Sequence, residues 1–295
     1  MIKKYTIYGE RCSGTNYLEQ LMITNFDVEL TQKYGRKHFF GFNDLSNSDD
    51  VLFIGIVRNI VDWANSFYRE KHHLPQELKK DVYSFLNKEF YSVDVDNNEI
   101  MKDRNIETKK RYKNIFELRK IKNKFLIEKM PKLVKNYILI TYDNLVNNFN
   151  NVMNKIKSHG LVVKKNIKFP VNVYYYKKNK DVKYVKKEND IKDELILSKA
   201  NFYYEKKLFP KFNNKIKIKI TENNADKLNL LNDKYYKKIL NVFKNQNVDV
   251  IFRVKKNLLN QKIISFYESW KNGHLFNDVT KKLPKNIKKV FLRKI

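Results

Sequence analysis

The stretch Tyr5-Thr6-Ile7-Tyr8-Gly9-Glu10-Arg11-Cys12-Ser13-Gly14-Thr15-Asn16-Tyr17-Leu18 decides how the rest of the chain is read. Four apolar or β-branched residues, two glycines five apart and a polar start to an apolar-periodic run spell a short strand, a tight loop and a helix start. Gly9 and Gly14 have the G-x-x-x-x-G spacing of a phosphate-binding loop, but Thr15-Asn16 stands where Lys and then Ser or Thr would follow. In a nucleotide triphosphatase that Lys reaches the β- and γ-phosphates and the hydroxyl holds magnesium, so this loop suits an anion but lacks both groups for ATP chemistry. It keeps backbone N–H groups at a helix N-terminus, the hydroxyls of Ser13 and Thr15, and Arg11, a set fitted to a nucleotide 5′-phosphate. The plain alternative is an ordinary strand-to-helix turn.

A second segment weighs against that alternative. Val51 to Val57 is an unbroken apolar run of strand length, followed at once by Arg58-Asn59 and then by Val61-Asp62-Trp63-Ala64-Asn65-Ser66-Phe67-Tyr68 at helical spacing. Arg58 is expected at the C-terminal edge of a buried parallel strand, where open α/β sheets bind ligands, and Ser66 two turns along the next helix.

Together these residues resemble the sulfotransferase family, which uses 3′-phosphoadenosine 5′-phosphosulfate. Glu10-Arg11-Cys12-Ser13-Gly14-Thr15-Asn16-Tyr17-Leu18 is similar to its first motif, a loop ending in S-G-T-x before a helix. The likeness implies that Arg11, Cys12, Ser13, Gly14, Thr15 and Asn16 surround the 5′-phosphosulfate. Phe53-Ile54-Gly55-Ile56-Val57-Arg58-Asn59 through Ser66-Phe67-Tyr68 is similar to the second motif, and implies that Arg58 and Ser66 grip the 3′-phosphate. Lys37-His38-Phe39-Phe40 is similar to the Lys-Thr-His strand end that carries the family's catalytic base, and Tyr137 to Leu145 to its later strand ending in Y-E-D-L. The matches keep the family's order over about the first 160 residues. Three positions depart from the pattern: Cys12 fills the slot where many members place a cation beside the leaving phosphate, Asn16 replaces a second Thr, and Ile60 replaces the Pro after Arg58-Asn59.

Sulfuryl transfer is an in-line displacement in which positioning and charge stabilisation supply most of the catalysis. It needs a base for the acceptor proton, and a neutral imidazole suits that task near neutral pH. His38 is the candidate base, with Glu10 the weaker alternative, and Arg11 the candidate cation nearest the transferring group. The expected activity is transfer from 3′-phosphoadenosine 5′-phosphosulfate to an alcohol or amine on a small molecule or glycan, without a metal. The alternative is a nucleotide- or nucleic-acid-binding protein with a degenerate, non-catalytic phosphate loop. A degenerate kinase stands third, for want of the Lys and the magnesium-binding hydroxyl.

Composition bounds these readings. At 295 residues the chain is long enough for one large α/β domain or a domain with an appendage. No apolar run reaches membrane-spanning length and Lys3-Lys4 leads straight into the first strand, so a soluble, cytoplasmic protein is expected. One Cys excludes an internal disulfide, and five His without a Cys pair or H-E-x-x-H spacing point away from a metal site. A formal charge of +29 admits nucleic acid as a partner. Yet the excess is mostly Lys in a chain also rich in Asn, Ile, Tyr and Phe, the bias of an A+T-rich coding sequence. Seven of the nine Arg lie between positions 11 and 119, where the motifs are, which favours a localised anion site over a diffuse basic surface.

The fold expected is a three-layer α/β protein with a largely parallel sheet and a P-loop-like loop. Residues 1–165 are expected to form the nucleotide-binding core, and residues 166–295 a mixed, mainly helical C-terminal part. Helices are expected over Thr15–Asn25, Val61–Lys71 and Ile115–Glu128; Arg111, Arg119 and Lys122, which border the last, either form a solvated basic face, the favoured reading, or reach the nucleotide or the acceptor. A hairpin is expected over Val171–Tyr176 and Val182–Val185, a half-exposed strand over Lys215–Ile220, and amphipathic helices over Leu228–Phe243 and Asn257–Trp270.

Overall fold

Val51–Val57 is buried along its whole length, as a strand must be when helices cover both faces of a parallel sheet. The computed structural model describes residues 2–173, 188–210, 218–220 and 250–252, and the chain divides into two compact units, Met1–Ile191 and Lys192–Ile295.

In the first unit β1 (Lys4–Tyr8) leads through α1 (Thr15–Asn25) to β2 (Glu29–Leu30), then to β3 (Val51–Val57) and α2 (Ile60–Glu70). Two short helices, α3 (Gln76–Lys79) and α4 (Val82–Asn87), precede α5 (Ile115–Lys124), which runs through a π-helical turn (Phe125–Lys129) into α6 (Met130–Leu133). The last strand, β4 (Tyr137–Thr141), is followed by α7 (Tyr142–Asn147) and α8 (Phe149–Lys157). All four strands are parallel, in the order β2-β1-β3-β4.

Strand alternation sends side chains to two cores. On one face Tyr5, Ile7, Leu52, Ile54, Ile56, Ile138 and Ile140 pack against Leu18, Leu21 and Met22 of α1 and Val152, Met153 and Ile156 of α8. On the other, Tyr8 and Phe53 meet an aromatic cluster in which Tyr8 stacks on Phe40 at 5.1 Å and Phe40 reaches Phe125 at 5.9 Å. The segment after α8 stays with this unit: Asn25 bonds the backbone of Val171 in both directions, and Ile191 N–H donates to Asn65 Oδ1 at 2.8 Å. The first unit thus extends past residue 165.

Helices α1 and α2 lie where periodicity puts them, and Ile115–Glu128 is helical with its last turn widened to π geometry. Two expectations fail. Lys37-His38-Phe39-Phe40 is not a strand end but a tight turn, in which Phe39 N–H donates to the Arg36 carbonyl at 2.9 Å. On α5, Arg119 and Lys122 are buried rather than solvated.

In the second unit α9 (Asp193–Leu197) and α10 (Phe202–Leu208) precede a parallel pair, β5 (Ile218–Ile220) and β6 (Val250–Phe252), with Ile218 opposite Val250. β5 realises the described part of the expected Lys215–Ile220 strand. Val171–Val173 carries no strand; the rest of the expected hairpin and both later amphipathic helices lie outside the described residues.

Candidate functional site

From β1 the chain crosses through α1 to β2 on one side, and β3 then lies on the other. That reversal falls at the C-terminal ends of β1 and β3, the place where open parallel sheets take ligands. The loop from Gly9 to Gly14 leaves β1 there, and Arg58 leaves β3 beside it.

The loop's shape follows from its residues. Ser13 N–H returns to the Glu10 carbonyl at 3.2 Å, which closes a turn, with Cys12 at φ 61° and Gly14 at φ 94°. Gly14 is required twice over: its φ is left-handed, and a Cβ there would stand 2.3 Å from Cδ2 of Tyr142. No side chain caps α1, so Thr15 and Asn16 begin the helix with amides that have no intrahelical acceptor.

The loop's carbonyls are held from several elements. The indole N–H of Trp63 on α2 donates to the Arg11 carbonyl at 2.9 Å, and the Arg58 guanidinium reaches the Cys12 carbonyl at 3.4 Å. Arg58 also lies 5.0 Å from the centroid of the Tyr142 ring, and its own carbonyl accepts from Arg119 of α5 at 2.7 Å. Ser66 on α2 acts on the Cys12 thiol, opposing the effect of burial on it. Burial pushes that thiol up to about 11, so it is neutral at physiological pH. Asp143 joins the ends of β3 and β4 by accepting from the Asn59 side chain at 2.7 Å and its backbone N–H at 3.2 Å.

Arg58 thus stands at the end of β3 beside the Cys12 carbonyl, and Ser66 lies on α2. Ser13 and Thr15 are buried in the loop, while Asn16 is exposed and accepts from the Lys37 ammonium, which also lies 3.3 Å from Glu19.

Arg11 does not take the position expected of it. Its guanidinium is 2% exposed and turned inward, donating to Glu10 Oε1 at 2.7 Å, Asp103 Oδ2 at 2.7 Å and Ser92 Oγ at 2.6 Å. The Phe39 and Phe67 rings flank it at 5.4 and 5.8 Å. Lys122 closes the arrangement by donating to Glu10 Oε2 and Asp103 Oδ1, both at 2.6 Å. The result is a buried ring of two carboxylates and two cations in which each carboxylate bridges both cations. Burial alone would favour a neutral Glu10 carboxyl, but Lys122 and Arg11 outweigh it and hold Glu10 down to about 2. Asp103, Ser92 and Lys122 in these roles are invisible to local pattern, since Asp103 is 92 residues from Arg11 and Lys122 is 112 from Glu10.

His38 sits at the edge of this ring, half-buried, with Nδ1 2.7 Å from the Gly9 carbonyl. A carbonyl can only accept, so Nδ1 carries the proton and Nε2 the lone pair. Burial, then Arg11, push the imidazole down to about 4, with Glu10 opposing. It is neutral at physiological pH and able to take a proton.

Among the described residues no group of three or more His, Cys, Asp or Glu side chains is arranged to hold a metal ion, and no helix is long and apolar enough to cross a membrane. No protein-family model matches the chain, and no curated protein or solved structure matches it.

Proposed function

We propose that this end of the sheet binds 3′-phosphoadenosine 5′-phosphosulfate and that the chain is a sulfotransferase acting on an alcohol or amine of a small molecule or glycan. The observation that carries this reading is the Arg58 guanidinium reaching the Cys12 carbonyl beside an uncapped helix start at the β1/β3 switch point. The P-loop-like turn Cys12–Asn16 receives the 5′-phosphosulfate on its amides, and Arg58 with Ser66 receives the 3′-phosphate. His38 Nε2 takes the proton of the acceptor as its oxygen or nitrogen bonds to sulfur and the bond from sulfur to the 5′-phosphate oxygen breaks. Adenosine 3′,5′-bisphosphate leaves with that electron pair. The cation missing from the Cys12 slot is supplied by Lys37, whose ammonium stands at Asn16, rather than by Arg11.

Nucleotide binding without transfer is the second reading, favoured by the inward turn of Arg11. Single-turnover transfer to a panel of alcohols and amines separates the two. The sulfotransferase reading expects turnover that His38→Ala lowers by roughly a hundredfold or more at unchanged nucleotide affinity. Nucleotide binding with no transfer to any acceptor favours the second reading.

A further inference from the structure

The buried ring takes no part in the steps above, yet one of its members reaches the base. Lys122 is 2% exposed, and its three ammonium protons go to three acceptors: Glu10 Oε2, Asp103 Oδ1 and, at 2.7 Å, the carbonyl of His38. The His38 turn is thereby tied to α5 as well as to the loop, where Gly9 N–H donates to the Lys37 carbonyl at 2.8 Å and His38 Nδ1–H to the Gly9 carbonyl. Burying an ammonium is costly unless its donors are satisfied and its charge is balanced, and here both conditions hold.

We propose that Lys122 is a positioning residue for His38, holding the turn so that Nδ1–H stays on the Gly9 carbonyl and Nε2 alone offers a lone pair. The inference rests on the reading of His38 as the base, and Lys122 itself touches neither substrate nor transferring group. Its charge acts in the same direction as its geometry. Arg11 and Lys122 disfavour an imidazolium at His38 and Glu10 favours one. Asp103 balances the two cations from the segment before α5, Arg36 and Lys37 are the charged residues of the turn itself, and His73 lies across the Phe39 ring. Removing Lys122 therefore frees the turn and leaves Glu10 to draw a proton onto the imidazole.

The test is the imidazole 15N spectrum of the full chain across acidic and neutral pH, with His38 assigned through His38→Gln. Wild-type protein is expected to hold His38 in the Nδ1–H tautomer and to gain the second proton only near pH 4. Two variants are compared with it: Lys122→Met, and Lys122→Met combined with Asp103→Asn, which removes one buried cation together with one buried anion. In each, the His38 midpoint is expected to rise, by about one pH unit for Lys122→Met, and the single tautomer to give way to a mixture. An unchanged midpoint and tautomer in the folded variants would overturn the proposal. Loss of fold in the charge-balanced variant, seen by circular dichroism, would overturn it too, because the ring would then have no action on His38 separable from stability. If His38 titrates as expected but the protein transfers sulfuryl groups to nothing, the positioning stands and the assignment of His38 as a base falls.

Discussion

On its inner side the loop between β1 and α1 sends Glu10 and Arg11 into a ring of four buried charges of balanced sign, whereas on its outer side the uncapped start of α1 lies beside the Arg58 guanidinium, which reaches the Cys12 carbonyl. The two sides are only a residue or two apart in sequence, yet they use charge for different ends. Inside, every cation has a carboxylate, so the ring ties the loop, the His38 turn, the Asp103 segment and α5 together at little net charge. Outside, the helix start and the guanidinium carry the positive charge that the proposed nucleotide site calls for.

The sharpest break in this comparison is Asp103→Ala, which strips a bridging carboxylate from both Arg11 and Lys122. It is expected to cost roughly 3–5 kcal/mol in urea unfolding, against less than about 1 kcal/mol for Ser66→Ala on the outer side. Equal costs would erase the distinction between the sides.

Acid should expose the inner side next. His38 is depressed in the folded state, so between its unfolded value of 6.5 and about 4 the unfolded chain binds a proton that the folded one refuses, and stability falls as pH drops through that window. Glu10 is depressed from 4.5 to about 2, so its contribution is present above 4.5 and is lost as pH falls toward 2. The combined loss is on the order of a few kcal/mol. In urea titrations His38→Gln should flatten the upper window and leave the lower one. A variant with the wild-type slope above pH 5 would show that His38 does not report the ring.

A smaller effect sharpens the outer side. Gly14→Ala forces a side chain into φ 94° and against Tyr142, so a loss of about 1–3 kcal/mol is expected by thermal denaturation, together with weaker anion binding. A neutral Gly14→Ala would mean that the loop relaxes and is not held by the Tyr142 ring.

The outer side was legible in the sequence and the inner side was not, for physical reasons. Strands β1, β3 and β4 are apolar runs, α1 and α2 carry helical periodicity, and parallel order brings the ends of β1 and β3 together, so Arg58 stands beside the Cys12 carbonyl. Asp143 lay within a recognised motif, although its partner Asn59 did not follow from it. The ring is built from contacts between residues far apart in the chain. Periodicity cannot tell a buried Lys122 from a solvated one, because the same spacing serves either face until its carboxylate partners are known. Phe39 and Phe40 imitate a strand, but Gly35 and Gly41, at φ 109° and 97°, flank a turn instead. A cation in a phosphate loop is expected to face the phosphate, but Arg11 turns inward because Glu10 beside it and Asp103 opposite supply partners there.

The central claim is that the outer side is a nucleotide site with a place for a 3′-phosphate. Calorimetric titration with 3′-phosphoadenosine 5′-phosphate and with adenosine 5′-phosphate, at moderate salt, tests it on wild-type protein and on Arg58→Ala. The account predicts a clear preference for the bisphosphate in the wild type, most of which disappears in Arg58→Ala, a loss on the order of 2 kcal/mol. Equal affinity for the two nucleotides in the wild type, or a preference untouched by Arg58→Ala, would contradict it.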